Sequence, residues 1–293
     1  MKMFYWLATF FVSGAALAAG PTASAASFDT RSWYEPAEPL HIAGPIHYVG
    51  TRDLAVYLIT TPKGHILLDG AMPGSQALIE ASIRKLGFDP QDIRVLLISH
   101  AHVDHVGTLA YFRKLTGATL AVMAPDNELL KSGGRADYLY ANDKSMHFDA
   151  VSTDRVLKDG DTVSLGGIDL TARHTPGHTR GCTTWVMNAK EGERTYRVVF
   201  AASTSVNPGT RLVNSPSYPG IADDYRRSFT VLESLQPEIF LSAHASFFGM
   251  DAKRARVAAE GVAAFVDPAG YARANAAKRV YFDEQIAKET RER

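Results

Sequence analysis

Ser99–His100–Ala101–His102–Val103–Asp104–His105 sets three imidazoles and a carboxylate within positions 100–105, directly after the apolar run Val95–Leu96–Leu97–Ile98. An apolar run bounded by polar residues reads as a buried strand. The pattern turns helical from Val106 to Leu115. The motif therefore falls between a strand and a helix, where side chains can converge on one point. His100 and His102, two apart in extended backbone, point the same way. A single histidine is ordinarily a satisfied polar residue, but three at this spacing beside an aspartate read as a metal centre, and the expected metal is zinc.

Ten histidines are present, so further ligands can be sought along the chain. His178 follows the Pro176–Gly177 turn, and His174 competes with it four residues earlier. His174 continues the strand 170–173, so His178 is the preferred ligand. His244 ends the short apolar run Leu241–Ser242–Ala243. Each would be weak evidence alone; with the central motif both become ligand candidates. His41, His47, His65 and His147 read as ordinary polar residues.

The remaining pattern places strands at 46–49, 54–61 and 65–70, a helix at 75–86, and a strand at 119–123. Strands alternating with helices to this point suggest one α/β half. Residues 131–150 are polar and contain tyrosines, and read either as a lid or as an ordinary connection. Short strands follow at 155–157, 162–165, 168–173, 182–187 and 197–202, then a helix at 221–235 and a strand at 239–242. Asp267–Pro268 supplies a cap and first-turn pair for a final amphipathic helix to about residue 288. The strand-and-helix pattern thus occurs twice, which two face-to-face sheets with outer helices would accommodate. Residues 27–42 read as an irregular lead-in.

Thirty-one basic and 31 acidic residues balance, so no nucleic-acid partner is expected. The start, Met1–Lys2 followed by the apolar residues 3–12 and Ala16–Leu17–Ala18, reads as a secretory signal peptide over about 1–19. A second cleavage option follows Ala23–Ser24–Ala25. The expectation is a periplasmic, monomeric protein, free of the membrane after cleavage, with a single catalytic domain over 27–293. An uncleaved anchor is the alternative, disfavoured because the apolar stretch is short. Cys182 is the single cysteine and cannot form an intramolecular disulfide.

The H-x-H-x-D-H pattern at 100–105, the H-T-P-G-H run ending at His178, and His244 resemble the metallo-β-lactamase superfamily. The resemblance implies an α/β fold, the four-layer αββα sandwich, with two Zn2+ per chain at the edge where both sheets end. Many superfamily members carry a bridging aspartate, and one β-lactamase subclass a cysteine, at the end of the strand that here reads Val198–Val199–Phe200–Ala201–Ala202–Ser203. Neither is present, which implies that His105 completes the second metal. That arrangement, with Tyr48–Val49–Gly50–Thr51, His65–Ile66–Leu67–Leu68–Asp69–Gly70 and Gly177–His178–Thr179–Arg180–Gly181–Cys182–Thr183–Thr184–Trp185, is most similar to class B, subclass 3 β-lactamases.

Carried over residue by residue, His100, His102 and His178 match the first metal site, and Asp104, His105 and His244 the second. Asp104 is also the implied catalytic residue. Ser203 and Ser205 fall where the family contacts the substrate carboxylate, although both could be plain strand-end polar residues. Asp69 could orient a ligand imidazole or serve only as a cap. The implied activity is zinc-dependent hydrolysis of the β-lactam amide bond of penicillins, cephalosporins and carbapenems, conferring antibiotic resistance. The alternatives are a lactonase or thioesterase of the same superfamily, or a non-catalytic exported zinc-binding protein. A serine hydrolase is disfavoured because no G-x-S-x-G motif occurs.

Overall fold

The computed structural model describes residues 30–292; the signal-peptide reading lies outside them. Seven strands form the first sheet in chain order: β1 (Leu40–Ala43), β2 (Ile46–Tyr48), β3 (Tyr57–Thr61), β4 (Gly64–Leu68), β5 (Ile93–Leu97), β6 (Thr119–Met123) and β7 (Arg155–Leu157). The pairs from β1 to β4 are antiparallel, and those from β4 to β7 are parallel. Parallel neighbours need crossover helices, here α1 (Gln76–Lys85), α2 (Val103–Val106), α3 (Leu109–Thr116) and α4 (Ala124–Lys131). The second sheet holds β8 (Thr162–Leu165), β9 (Ile168–His174), β10 (Thr183–Glu191), β11 (Arg194–Ala201) and β12 (Ile239–Ser242), ordered β12-β11-β10-β9-β8. α5 (Ile221–Leu235) connects the parallel pair β11 and β12, and α6 (Met250–Glu260) and α7 (Pro268–Arg291) follow.

The strand period of two sorts the first sheet's side chains onto two buried faces. Tyr57, Ile59, Ile66, Leu68, Val95, Leu97, Ala121 and Met123 enter the core shared with Trp185, Met187, Val198 and Phe200 of the second sheet. Their neighbours Val56, Leu58, Leu67, Leu96, Leu120 and Val122 instead meet Ile79 and Ile83 of α1, Phe112 of α3 and Leu130 of α4. The far face of the second sheet packs Phe240 against Leu232 of α5 and Tyr271 of α7. The layers are therefore αββα. Among the described residues no helix is long and apolar enough to cross a membrane.

Three readings change. Residues 40–42, the end of the supposed irregular lead-in, belong to β1, whose ladder with β2 supplies what so short a run cannot provide alone. The helix expected from Val106 is two helices, so Asp104 and His105 stand on the one-turn α2 rather than in a loop. Gly107 makes the break: its chain runs against Met72 and Pro73 so closely that a Cβ would lie 2.2 Å from the Pro73 nitrogen. α4 was not anticipated, because Pro125 and Asp126 near its start resemble turn residues; in the first turn of a helix both are well tolerated.

Hydrogen bonds fasten the two sheets together at one edge. The Thr183 amide donates to the Ser99 carbonyl at 2.7 Å, and the Trp185 indole to the Ile98 carbonyl at 2.9 Å. The Tyr57 hydroxyl donates to the Ser242 carbonyl at 2.7 Å, and the Ala55 amide to the Ala243 carbonyl at 3.0 Å. The ends of β4, β5, β11 and β12 consequently open onto a common edge.

Candidate metal centre

His100 and His102 follow β5, Asp104 and His105 lie on α2, His178 sits between β9 and β10, and His244 stands two residues past the end of β12. His100, His102 and His178 offer ring nitrogens that all lie within 4.8 Å of one another, and His100, Asp104 and His105 form a second such group. His244 joins the second group from the other side, its Nε2 3.5 Å from Asp104 Oδ2. His105 Nε2 approaches the same carboxylate oxygen at 3.2 Å.

The first group presents lone pairs with nothing to bind them. His178 Nδ1 donates to the Ser205 carbonyl at 2.8 Å, and His102 Nε2 donates to Asp137 Oδ2 at 3.2 Å. Each neutral ring then carries its lone pair on its other nitrogen. Those two nitrogens, His102 Nδ1 and His178 Nε2, face each other at 3.1 Å. His100 Nε2 is fully buried without any partner, while its Nδ1 meets Ser99 Oγ at 3.0 Å. Buried polar atoms are normally paired. Three convergent imidazole lone pairs with no donor among them fit a divalent cation.

The two groups differ in charge. Burial, followed by neighbouring imidazoles, holds His100 well below the usual histidine range and His178 down at about 3. Both rings are therefore uncharged at neutral pH, each keeping a single N–H. In the second group burial opposes charge but loses to pairing. Asp104 is held well below the carboxylate range by His105 and His244. His105 is pushed up to about 10, burial being outweighed by Asp104 and Asp69. His244 is raised in the same way by Asp104 and Asp53. The metal-free second group thus holds protons as an ion-pair network, and a cation would take their place.

Carboxylates behind the ligands set their directions. Asp69 Oδ1 accepts the Ser99 amide at 2.6 Å, and its Oδ2 lies 3.5 Å from His105 Nδ1. Asp53, from the β2–β3 connection, accepts His244 Nδ1 at 3.0 Å through Oδ2 and the Ser246 amide at 2.9 Å through Oδ1. Asp137 also accepts the Leu139 and Tyr140 amides, tying residues 131–150 to His102.

Asp126 of α4 joins the two histidine-bearing loops. Its buried carboxylate accepts the Ala101 amide at 2.9 Å, the Thr179 hydroxyl at 2.9 Å and the Gly181 amide at 2.7 Å. Burial raises its pKa against the pull of these donors. Only glycine serves at 181, since a Cβ there would come within 2.6 Å of three Asp126 atoms.

His174 belongs to neither group: it ends β9 with its Nε2 against the Arg180 carbonyl at 2.8 Å. Ser203 Oγ accepts the Ser205 amide at 3.2 Å, and Ser205 offers its carbonyl to His178. Asp53, Asp126 and Asp137 were not among the expected site residues. Each is an isolated acid in sequence, and only the aromatic-containing 131–150 segment hinted at one of them. Cys182 is buried away from both groups, its Sγ facing the Thr179 amide and hydroxyl at 3.3 Å.

The profile of the metallo-beta-lactamase superfamily matches residues 49–244. Native FEZ-1 metallo-beta-lactamase from Legionella gormanii superposes with a TM-score of 0.86 at 44% identity, over 87% of this chain and 98% of that one. BJP-1, a subclass B3 metallo-beta-lactamase of Bradyrhizobium japonicum, superposes with a TM-score of 0.84 at 40% identity, covering 89% and 98%. A hydroxyacylglutathione hydrolase from Chelativorans sp. (strain BNC1) is 31% identical over 132 residues, 45% of this chain and 40% of its own length. This chain spans about half the length of that and similar curated relatives.

Proposed function

Because this chain belongs to the metallo-beta-lactamase superfamily, we propose that it is a two-zinc β-lactamase that opens the amide bond of penicillins, cephalosporins and carbapenems. It is an enzyme of the metallo-hydrolase superfamily, and its structural neighbours are class B3 β-lactamases. The observation that carries the finer reading is likeness over almost the whole of a β-lactamase, 98% of FEZ-1. A second reading, thioester hydrolysis, draws on the shorter match to hydroxyacylglutathione hydrolase. The end of β11, Ala201–Ala202–Ser203, brings no carboxylate to the centre, which favours the first.

In this reading His100, His102 and His178 hold one zinc, and Asp104, His105 and His244 the other. When bound, zinc supplies a water-derived nucleophile near neutral pH and a Lewis acid for the amide carbonyl. Asp104, kept ionised by its two imidazole neighbours, can orient a water and accept its proton. Tyr140, edge-on to His102 at 5.6 Å between ring centroids, stays protonated: burial, then Asp137 and Asp104, push it up to about 12. As a phenol it can donate a hydrogen bond beside His102. Trp33 and Phe247 lie with their ring centroids 5.7 and 4.7 Å from that of His244 and give the second group an aromatic flank. Ser203 and Ser205 are proposed to face the substrate carboxylate. Export to the periplasm, on the strength of the N-terminal sequence, belongs to the same proposal, as do a monomeric state and a role in antibiotic resistance.

The test is β-lactam hydrolysis by the zinc-loaded protein, with and without a chelator, beside thioester and lactone substrates. Turnover of β-lactams that the chelator abolishes and zinc restores is expected. Thioester turnover with inert β-lactams would replace the first reading by the second.

A further inference from the structure

α7 turns a regular stripe inward: Tyr271, Asn275 and Phe282 are buried, and Phe282 stacks among Tyr225 and Phe229 of α5. Lys278, three residues after Asn275 and four before Phe282, falls on that stripe. A lysine on an inward face is costly unless its charge is met. Among the described residues no carboxylate pairs with it. Burial alone acts on its titration, lowering its pKa with no acid to offset it.

Its surroundings point at the metal centre. Nζ donates to Ser205 Oγ at 2.8 Å and stands 4.2 Å from the centre of the Phe247 ring. Ser205 offers its carbonyl to His178 Nδ1 and to the Tyr225 hydroxyl, each at 2.8 Å. Phe247 lies against His244. The ammonium therefore sits between a neighbour of the first histidine group and a neighbour of the second. One donor is used by a neutral hydroxyl, and two N–H bonds remain.

We propose that Lys278, with the Ser205 hydroxyl, is a specificity-determining residue that receives a carboxylate of the substrate. A half-buried cation lacking an acid of its own is completed by an anion brought in from outside, through charge-assisted hydrogen bonds. The inference rests on the hydrolase reading above for the identity of that anion, because penicillins and cephalosporins carry a carboxylate beside the scissile ring.

Two measurements test it. The first titrates the cobalt-substituted protein with ω-mercaptocarboxylates of two to five methylenes, and with mercapto-alcohols of the same lengths, reading thiolate–cobalt absorption. At one length the carboxylate should bind about 10- to 100-fold more tightly than the alcohol, the range of a charge-assisted hydrogen bond. Lys278→Met should abolish that preference while leaving alcohol binding alone, and Lys278→Arg should keep part of it. The second compares benzylpenicillin with its methyl ester: Lys278→Met should raise KM for the acid by a similar factor and leave the ester unchanged. No carboxylate preference at any length, a preference that survives Lys278→Met, or an equal loss for acid and neutral probes would overturn the proposal; the last would make Lys278 a support for Ser205. If benzylpenicillin is inert, the β-lactamase reading fails while the thiol series still decides the role of Lys278.

Discussion

Replacing Asp126 by alanine removes one buried carboxylate and strands three donors: the Ala101 and Gly181 amides and the Thr179 hydroxyl. A hydrogen bond to a charged group contributes roughly 1.5–3 kcal/mol net, so three together approach about 4.5–9 kcal/mol. Part is recovered because the carboxylate no longer has to be buried; that burial cost is what raises its pKa. The expected net loss is about 3–5 kcal/mol, at the upper end for a single substitution. Asp126→Asn keeps one acceptor oxygen but turns an amide NH2 toward a donor, so it should fall about midway. The consequence reaches the metal, because Ala101 lies between His100 and His102, and Thr179 follows His178. With the clamp gone, the three imidazoles no longer share a fixed origin, and zinc affinity should drop about 10- to 100-fold, as for lost partners of metal ligands. Urea unfolding of the metal-free proteins reads the first quantity, and competition with a chromogenic chelator the second. Asp126→Ala with unfolding within about 1 kcal/mol of wild type and unaltered zinc affinity would show that Asp126 does not clamp the two histidine loops.

Acidification should separate the two metals. His105, at about 10, stays protonated throughout pH 6–8 without metal, and His244 is raised too, whereas His178, at about 3, is already neutral. Each proton displaced costs about tenfold in apparent affinity per pH unit of acidification, so the second Kd should rise steeply from pH 8 to 6 while the first stays nearly flat; parallel slopes in a stepwise titration would contradict this. Asp137→Asn should weaken the first metal and Asp53→Asn the second, each about tenfold, with the same titration telling them apart.

Much of the centre is written locally. β6, α5 and β12 have the bounds that their periodicity implies, because an uninterrupted apolar pattern at period 2 or 3.6 needs no distant information. His100 and His102 share a side because strand-like backbone puts alternate residues there, His178 stands out because it follows a Pro-Gly turn after a strand, and His244 because it ends a short strand-like run. What required the tertiary structure is everything that depends on chain segments meeting. β1 exists through its ladder with β2, and the break between α2 and α3 exists because Gly107 meets Pro73. Asp53, Asp126 and Asp137 look like surface acids in sequence, and become partners of metal-site loops only when connections from both sheets close on one edge. Lys278 looks like one more lysine on an amphipathic helix until α7 packs on α5 and carries it to Ser205. The H-x-H-x-D-H stretch by itself specifies that metal binds, since ligand type and spacing are local properties. Which protons the centre holds, and which cation is left without an acid of its own, follow from burial and from neighbours distant in the chain, and those exist only after folding.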